Sequence, residues 1–159
     1  MDLEPLMHSP TLFPYIVAAI LFAMSLVPIG GSAQTLLVAN KTDNTVDLID
    51  VRSGESMATL PTGAAPHEIE TSKDGSLAVI SNYGNREEPG SSLTILDIAS
   101  VRVLGTVDLG DHSRPHGLAW LGEGRVAVTT EGSAHLLVVD IDTRRVLDEI
   151  QTDQEVSHM

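Results

Sequence analysis

The sequence predicts an all-β fold built from repeated four-stranded antiparallel sheets, and three observations predict it. Short runs rich in Val, Ile, Leu and Thr alternate with turn residues throughout the chain after residue 33. A histidine recurs at the start of strand-like stretches, at His67, His116 and His158, with intervals of 49 and 42 residues. An aspartate closes apolar stretches at Asp50, Asp97 and Asp140, with intervals of 47 and 43 residues. Repeats of this length with several short strands each are typical of β-propeller blades.

The first 33 residues differ from the rest and predict a signal peptide over residues 1–33. A 13-residue apolar run, Tyr15–Val27, is shorter than the roughly 20 residues of a membrane-spanning helix. Small residues up to Ala33 would allow cleavage before Gln34. Because Asp2 and Glu4 precede the run where a signal normally carries positive charge, an uncleaved anchor is the alternative. We expect an extracytoplasmic protein, periplasmic or secreted, without a membrane span after cleavage.

Composition excludes several classes of function. Nine basic against 22 acidic residues give a formal charge of −13, which repels nucleic acid and anionic lipid, so no nucleic-acid partner is expected. The chain has no cysteine, which excludes disulfides, thiolate metal sites and a cysteine nucleophile and fits an exported protein. With only 3% aromatic residues, the core must be aliphatic.

Residues 34–159 are predicted to form a partial β-propeller with blades at 34–65, 66–114 and 115–156 and the start of a fourth at 157–159. The first blade has three predicted strands and the next two have four. The predicted strands are Leu36–Asn40, Val46–Val51 and Ser56–Thr62; His67–Thr71, Ser76–Asn82, Leu93–Ile98 and Arg102–Leu109; His116–Leu121, Arg125–Thr130, His135–Ile141 and Val146–Gln151. Gly75 and Gly124 can supply the positive φ of the first hairpin turn. The three repeated aspartates can cap backbone N–H groups in the last turn, a structural rather than catalytic role.

Several segments resemble the YVTN-type β-propeller repeat. They are Leu-Val-Ala-Asn at 37–40, Asn-Thr-Val at 44–46, Leu-Ile-Asp at 48–50, Gly-Ala-Ala-Pro-His at 63–67 and Ser-Lys-Asp-Gly at 72–75. The chain departs from the family pattern at Leu37 (Tyr in the family), Thr129-Thr130 (Thr-Asn) and Gly122–Gly124 (Asp-Gly turn). The resemblance covers essentially all of the chain after the signal. It implies a ring of about seven blades, of which about three are present.

A β-propeller needs four to eight blades to form a closed ring, so three blades alone would leave the ring open. An open set leaves two sheet edges that can pair with other chains. We therefore expect a portion of a protein of roughly twice this length, because Met159 falls inside a repeat motif. Self-association of a true three-blade chain is the alternative.

The sequence places candidate binding residues on one rim of the blades. In a four-stranded meander, the loops between second and third strands and the links between blades share a rim, and irregular loops on a rigid scaffold commonly carry function. The longest predicted loop spans 83–92. Tyr83, Asn85, Arg86 and Arg114 are therefore the candidate ligand-binding residues, for a protein, glycan or small ligand. For Arg114 the sequence favours a rim ion pair over anion recognition.

The three repeated histidines would lie at equivalent places near the channel mouth and could hold copper or another divalent metal at His67, His116 and His158. A structural role is favoured, because a repeated histidine at a blade junction commonly bonds the neighbouring backbone and histidine belongs to the family repeat. No cofactor is therefore predicted. His112 and His135 are read as isolated residues.

The sequence shows no nucleophile elbow, phosphate loop, dinucleotide fingerprint or zinc-helix motif, so it does not require an enzyme. The predicted function is an exported β-propeller acting as a binding scaffold. A propeller enzyme, either a metal-dependent oxidoreductase or a lactone hydrolase with its site at the channel mouth, is the alternative.

Overall fold

A computed structural model describes residues 34–153, which form eleven β-strands in three antiparallel sheets. The predicted signal peptide and the last six residues, including His158, lie outside the described residues. Within residues 34–153 no helix is long and apolar enough to cross a membrane.

Each sheet has its strands in chain order, and we call the three sheets the first, second and third blades. The first blade has β1 (Thr35–Asn40), β2 (Thr45–Asp50) and β3 (Ser56–Pro61). The second has β4 (Pro66–Thr71), β5 (Leu77–Gly84), β6 (Pro89–Asp97) and β7 (Arg102–Asp108). The third has β8 (Pro115–Gly122), β9 (Arg125–Thr130), β10 (His135–Asp140) and β11 (Arg145–Gln151). The predicted all-β fold and the strand order are confirmed.

The apolar core lies between the blades. Ten buried aliphatic side chains from β5 to β10 and the segments just after them fill the space between the second and third blades. Val46, Leu48, Ala78, Ile80 and Leu96 fill the space between the first and second blades. Since burial removes apolar surface from water, face-to-face packing stabilises neighbouring blades against each other.

Both faces of the second blade are buried, which explains its sequence. Val79 contributes to one cluster and its neighbour Ile80 to the other, and Ile95 and Leu96 divide in the same way. Successive side chains of a strand point to opposite faces of the sheet. A strand covered on both faces therefore reads as a continuous apolar run rather than as an alternating one.

The turns between third and fourth strands are capped by the repeated aspartates, as predicted. The Asp50 carboxylate accepts hydrogen bonds from the N–H groups of Arg52 and Ser53 at 2.9 and 2.8 Å. Asp97 accepts one from Ser100 N–H at 2.9 Å, and Asp140 one from Thr143 N–H at 2.7 Å. These bonds favour the ionised form and lower the pKa of all three carboxyl groups.

The first turn of the second blade uses a similar cap. The Asp74 carboxylate accepts hydrogen bonds from the hydroxyl of Ser72 and from the backbone and hydroxyl of Ser76. The bond from Ser72, followed by those from Ser76, lowers the pKa of Asp74 to about 2. Gly75 has φ 71°, as the tight turn requires.

The predicted irregular loop 83–92 is largely strand, which corrects the sequence analysis. Strands β5 and β6 continue until Gly84 pairs with Pro89, and only residues 85–88 form the turn. Asn85 Oδ1 accepts hydrogen bonds from the backbone N–H groups of Glu87 and Glu88, both at 2.8 Å. Gly84 has φ 79°, and a Cβ there would collide with the backbone of Gly90. Glycine and proline, which ordinarily interrupt strands, here permit a shifted register and close approach of the two strands.

The loops divide between two rims as predicted. A cavity of about 680 Å³ on one rim is lined by the first turns of the second and third blades, including Asp74 and Gly124. A second cavity of about 680 Å³ is lined by the β1–β2 and β5–β6 turns and by the links that precede β4 and β8. We call the second cavity the rim groove.

Candidate functional site

The two innermost strands β4 and β8 begin with the same local structure. Ala65 and Arg114 adopt left-handed backbone conformations, with φ 48° and 57°. Such a conformation is costly for a residue with a Cβ unless the surroundings hold it. Ala65 N–H donates to the Asn44 side chain at 2.7 Å, and Arg114 N–H donates to the carbonyl of Gly90 at 2.8 Å. A residue of the preceding blade thus fixes each strand entry.

A register shift follows each entry and sets the direction of the next residues. Pairing of β4 with β5 shifts between Pro66 and Ile69, and pairing of β8 with β9 shifts between Pro115 and Leu118. A hydroxyl on the neighbouring strand accepts the N–H group released by each shift. Glu68 N–H donates to Ser81 Oγ at 2.9 Å, and Gly117 N–H donates to Thr129 Oγ1 at 2.8 Å. The repeated structure holds the backbone around His67 and His116 in equivalent places.

The two histidines meet between adjacent blades. Their ring centroids lie 4.4 Å apart. Glu68 Oε1 is 3.6 Å from His67 Nδ1 and 3.8 Å from His116 Nδ1. The His116 side chain is 8% exposed and that of His67 is 30% exposed. His67, Glu68 and His116 therefore place two imidazoles and one carboxylate around a common point, with one ligand atom from each within 4.8 Å of the others.

Tyr83 and Glu131 extend this cluster. The Tyr83 hydroxyl donates a short hydrogen bond to Glu131 Oε2, and Glu131 Oε1 lies 3.8 Å from His116 Nε2. The bond to Glu131, together with burial, raises the pKa of the Tyr83 hydroxyl above its ordinary value. Burial, followed by the charges of Lys41 and His116, lowers the pKa of His67 and favours its neutral form.

The rim groove begins beside the same tyrosine. Its lining carries three cationic side chains, Lys41, Arg86 and Arg114, and one carboxylate, Glu88. Lys41 Nζ lies 4.9 Å and Arg114 Cζ 5.2 Å from the centroid of the Tyr83 ring. Cations this close to an aromatic face are attracted by its electrons. The groove therefore concentrates positive charge in a chain whose formal charge is −13.

The expected rim ion pair of Arg114 is absent from the ion pairs formed within residues 34–153. Its guanidinium instead donates to the backbone carbonyl of Asn85 at 3.2 Å. A neutral carbonyl supplies no opposite charge to the guanidinium. This arrangement favours the anion-recognition reading that the sequence ranked second.

The structure brings most of the sequence-predicted site residues together. Tyr83, Asn85, Arg86 and Arg114 all line the rim groove. His67 and His116 are neighbours, whereas His158 lies outside the described residues and its part in a metal site stays a prediction. Lys41, Glu68 and Glu131 were not among the predicted site residues because no repeated motif marks them, although Lys41 and Glu131 belong to loops that the strand order sends to this rim. The sequence did distinguish Glu68, because a carboxylate follows the repeated histidine in the second blade, whereas Gly117 follows it in the third.

His112 and His135 are not isolated, which corrects the sequence analysis. Their ring centroids lie 4.7 Å apart, with His112 in the link between β7 and β8 and His135 at the start of β10. His112 contacts Ser133 Oγ at 3.1 Å and Glu149 Oε2 at 3.2 Å, and His135 Nδ1 contacts the Ser133 carbonyl at 2.6 Å. Three of the four ring nitrogens thus face protein partners, which indicates a structural pair.

Comparison with known proteins identifies the fold. No family model matches the chain, and no curated protein matches it in sequence. Among solved structures, Kuenenia stuttgartiensis hydrazine synthase is similar with a TM-score of 0.65 at 20% identity, over 77% of this chain and 35% of that one. The dihydro-heme d1 dehydrogenase NirN in complex with DHE is similar with a TM-score of 0.63 at 21% identity, over 76% of this chain and 25% of that one.

The chain thus spans about a third and a quarter of the length of these two neighbours. Both are β-propeller proteins, and identity at this level shows the fold alone. The three sheets of this chain are blades of a β-propeller.

Proposed function

We propose that this chain belongs to an exported β-propeller protein that binds a small organic anion in the rim groove. The observation that carries the proposal is the placement of Lys41 and Arg114 over the ring of Tyr83, at one side of a 680 Å³ cavity. Ligand pockets commonly have volumes of roughly 300 to 1,000 Å³ and combine apolar surface with a few fixed polar groups.

Charge and chemistry favour an anion over the other partners that the sequence allowed. Three cations face one carboxylate in the groove, against an acidic background that repels large polyanions at long range. The planar guanidinium of Arg114 is suited to a carboxylate or phosphate group. The Tyr83 ring offers an apolar face beside these charges. A small ligand with one anionic group and an apolar body matches this combination better than a neutral glycan or a flat protein surface.

The test is a thermal-shift and calorimetric screen of the full chain with aromatic carboxylates and sugar phosphates, each matched with its uncharged analogue. We expect anions alone to raise the unfolding midpoint, and added salt to weaken binding. Arg114→Gln should weaken binding about 10- to 100-fold, because a hydrogen bond to a charged group contributes roughly 1.5–3 kcal/mol. Deletion of the β5–β6 turn is not a suitable test, since its flanking residues are paired as strand.

Arg125→Gln is the matched control, because Arg125 begins β9, directly after the first turn of the third blade, and pairs with Glu123 at 2.9 Å. It should leave binding unchanged. Equal binding of charged and uncharged analogues, or equal loss in the two arginine variants, would reject the anion groove.

An enzyme with its site on the same rim is the second candidate function, as a metal-dependent oxidoreductase or a lactone hydrolase. The observation that favours it is the meeting of His67, His116, Tyr83 and Glu131 beside the groove. Turnover of a lactone panel by the full chain, lost in His116→Ala and retained in Arg125→Gln, would support catalysis. Absence of turnover with any divalent metal added would leave binding as the function.

Membership of the YVTN-type repeat family and an extracytoplasmic location complete the proposal. The repeat motifs at 37–50 and 63–75 support the first, and the apolar run Tyr15–Val27 supports the second. The intact mass of the protein isolated from its natural source tests both the processing site and the number of blades. A mature N-terminus at Gln34 supports export, and an unprocessed N-terminus in the cytoplasmic fraction would reject it.

A further inference from the structure

We propose that His67, Glu68 and His116 form a binding site for one divalent transition-metal ion, with zinc and copper(II) as the best-matched metals. The site is separate from anion binding and stands whether or not the rim groove holds a ligand. Two imidazoles and one carboxylate are a donor set that suits zinc and copper, whereas calcium and magnesium prefer oxygen donors alone.

The distances fit a metal of this size. Zinc binds imidazole nitrogen and carboxylate oxygen at about 2.0–2.2 Å, so two ligand atoms of a tetrahedral site lie roughly 3.3–3.5 Å apart. Glu68 Oε1 lies 3.6 Å from His67 Nδ1 and 3.8 Å from His116 Nδ1. Closing the two gaps to Glu68 requires movements of only a few tenths of an ångström. The two histidine ligand atoms lie within 4.8 Å of each other, so they must approach by at most about 1.5 Å. Three protein ligands leave a fourth position for water or an exogenous ligand, as in catalytic rather than structural zinc sites.

The backbone around all three donor residues is already fixed before a metal binds. His67 and Glu68 lie within the register shift of β4, where Glu68 N–H is bonded to Ser81 Oγ at 2.9 Å. His116 lies within the equivalent shift of β8 and is almost fully buried. Because two packed blades supply the ligands, little conformational freedom of the backbone is lost when a metal binds.

A second carboxylate stands behind one of the proposed ligands. While His116 Nδ1 faces Glu68, its other ring nitrogen lies 3.8 Å from Glu131 Oε1, within ion-pair range but longer than a hydrogen bond. Glu131 is held in turn by the Tyr83 hydroxyl. Metal-bound histidines commonly donate their second N–H to a carboxylate, which fixes the tautomer and strengthens the ligand. The order Tyr83, Glu131, His116 places such a carboxylate at the second ring nitrogen of His116, where a shorter contact would complete the hydrogen bond.

The experiment is calorimetric titration of the metal-free full chain with zinc chloride. We expect one saturable site with micromolar or tighter affinity. Glu68→Gln keeps the size of the side chain and should weaken zinc binding at least about 10-fold, as should Glu131→Gln through its effect on His116. His116→Ala should abolish the site. Copper(II) bound to the chain should show nitrogen hyperfine splitting from imidazole in its electron paramagnetic resonance spectrum, and His67→Gln should reduce that splitting.

His135→Ala is the matched control, because it removes a histidine from the separate pair that His135 forms with His112. It should retain zinc affinity, and Arg114→Gln should retain it as well even if anion binding is lost. Circular dichroism should show that Glu68→Gln is folded, so that this variant decides the matter if His116→Ala does not fold. Absence of a saturable site in the wild-type chain, unchanged affinity in folded Glu68→Gln, or equal loss in His135→Ala would overturn the proposal.

Discussion

Replacement of Asn82 by Ala should destabilise the protein strongly, because this fully buried side chain ties together the link between two blades and two strands. Its Oδ1 accepts the N–H of Gly63 at 3.1 Å and the hydroxyl of Thr94 at 3.2 Å. Its Nδ2 donates to Ser92 Oγ at 2.9 Å and to Thr94 Oγ1 at 3.1 Å. Asn82 also directly precedes Tyr83, so the same network holds the strand that delivers the central aromatic side chain of the rim groove.

The magnitude follows from the bonds lost. Gly63 N–H keeps a second acceptor, Thr94 Oγ1 at 3.2 Å, so Asn82→Ala removes the equivalent of two to three hydrogen bonds and leaves a small void. At about 1 kcal/mol for each bond, the loss is roughly 2–4 kcal/mol in the free energy of unfolding. Urea denaturation followed by the fluorescence of Trp120, the single tryptophan, measures this change.

Asn40→Ala is the matched comparison, because Asn40 occupies the equivalent position in the first blade. Its half-buried amide donates to Thr45 Oγ1 at 3.1 Å and also hydrogen-bonds the solvent-exposed Asp47 carboxylate. Because neither bond belongs to a buried network, its loss should cost only about 1 kcal/mol. If Asn82→Ala were no more destabilising than Asn40→Ala, the buried network could not be what fixes the link between the first two blades.

Three further predictions follow from the same structure. Gly63→Ala should destabilise the chain by roughly 1–3 kcal/mol in urea denaturation, since a Cβ at Gly63 would lie 2.5 Å from Asn82 Cγ; an unchanged midpoint would show that the link is loosely packed. Asp74→Asn should make the stability of the fold depend less on pH between about 4 and 2. A carboxyl group with a pKa of about 2 when folded and about 4 when unfolded stabilises the fold above pH 4 and loses that contribution as pH falls through 2. Thermal midpoints of wild type and variant between pH 5 and 2 test this, and parallel curves would count against it. Ser81→Ala should leave Glu68 N–H without its acceptor and lower zinc affinity about 3- to 10-fold while zinc stoichiometry stays at one; undiminished affinity would mean that the register shift does not position the ligand.

The fold was predictable because its signals are local and repeated. A Val- and Ile-rich run locates a strand to within a few residues. Glycine or aspartate at a turn supplies the backbone conformation or the hydrogen bonds that the neighbouring residues require. The repetition of Asp50, Asp97 and Asp140 then assigned the strands to blades. The exception was the β5–β6 hairpin, where Gly84, Pro89 and Gly90 suggested a loop. Their pairing depends on a register shift that has no counterpart in the other blades.

The candidate site was predictable in part. Tyr83, Asn85, Arg86 and Arg114 were expected on one rim, because the alternation of strand direction sends particular loops to particular rims. Sequence reasoning could not show that Arg114 would lie over the ring of Tyr83 rather than beside a carboxylate. It also failed to pair His112 with His135, since these residues are 23 positions apart and belong to no common motif.

The sequence by itself determined the all-β class, the number and order of strands in each blade and the chemistry of the turns. These features depend on interactions among residues close together in the chain or repeated along it. Only the tertiary structure decided which side chains meet between blades. His67 and His116 are 49 residues apart, and Tyr83 and Glu131 are 48 apart. Such contacts arise from the packing of one sheet against the next and from register shifts in β4 and β8, and no local pattern in the chain specifies either.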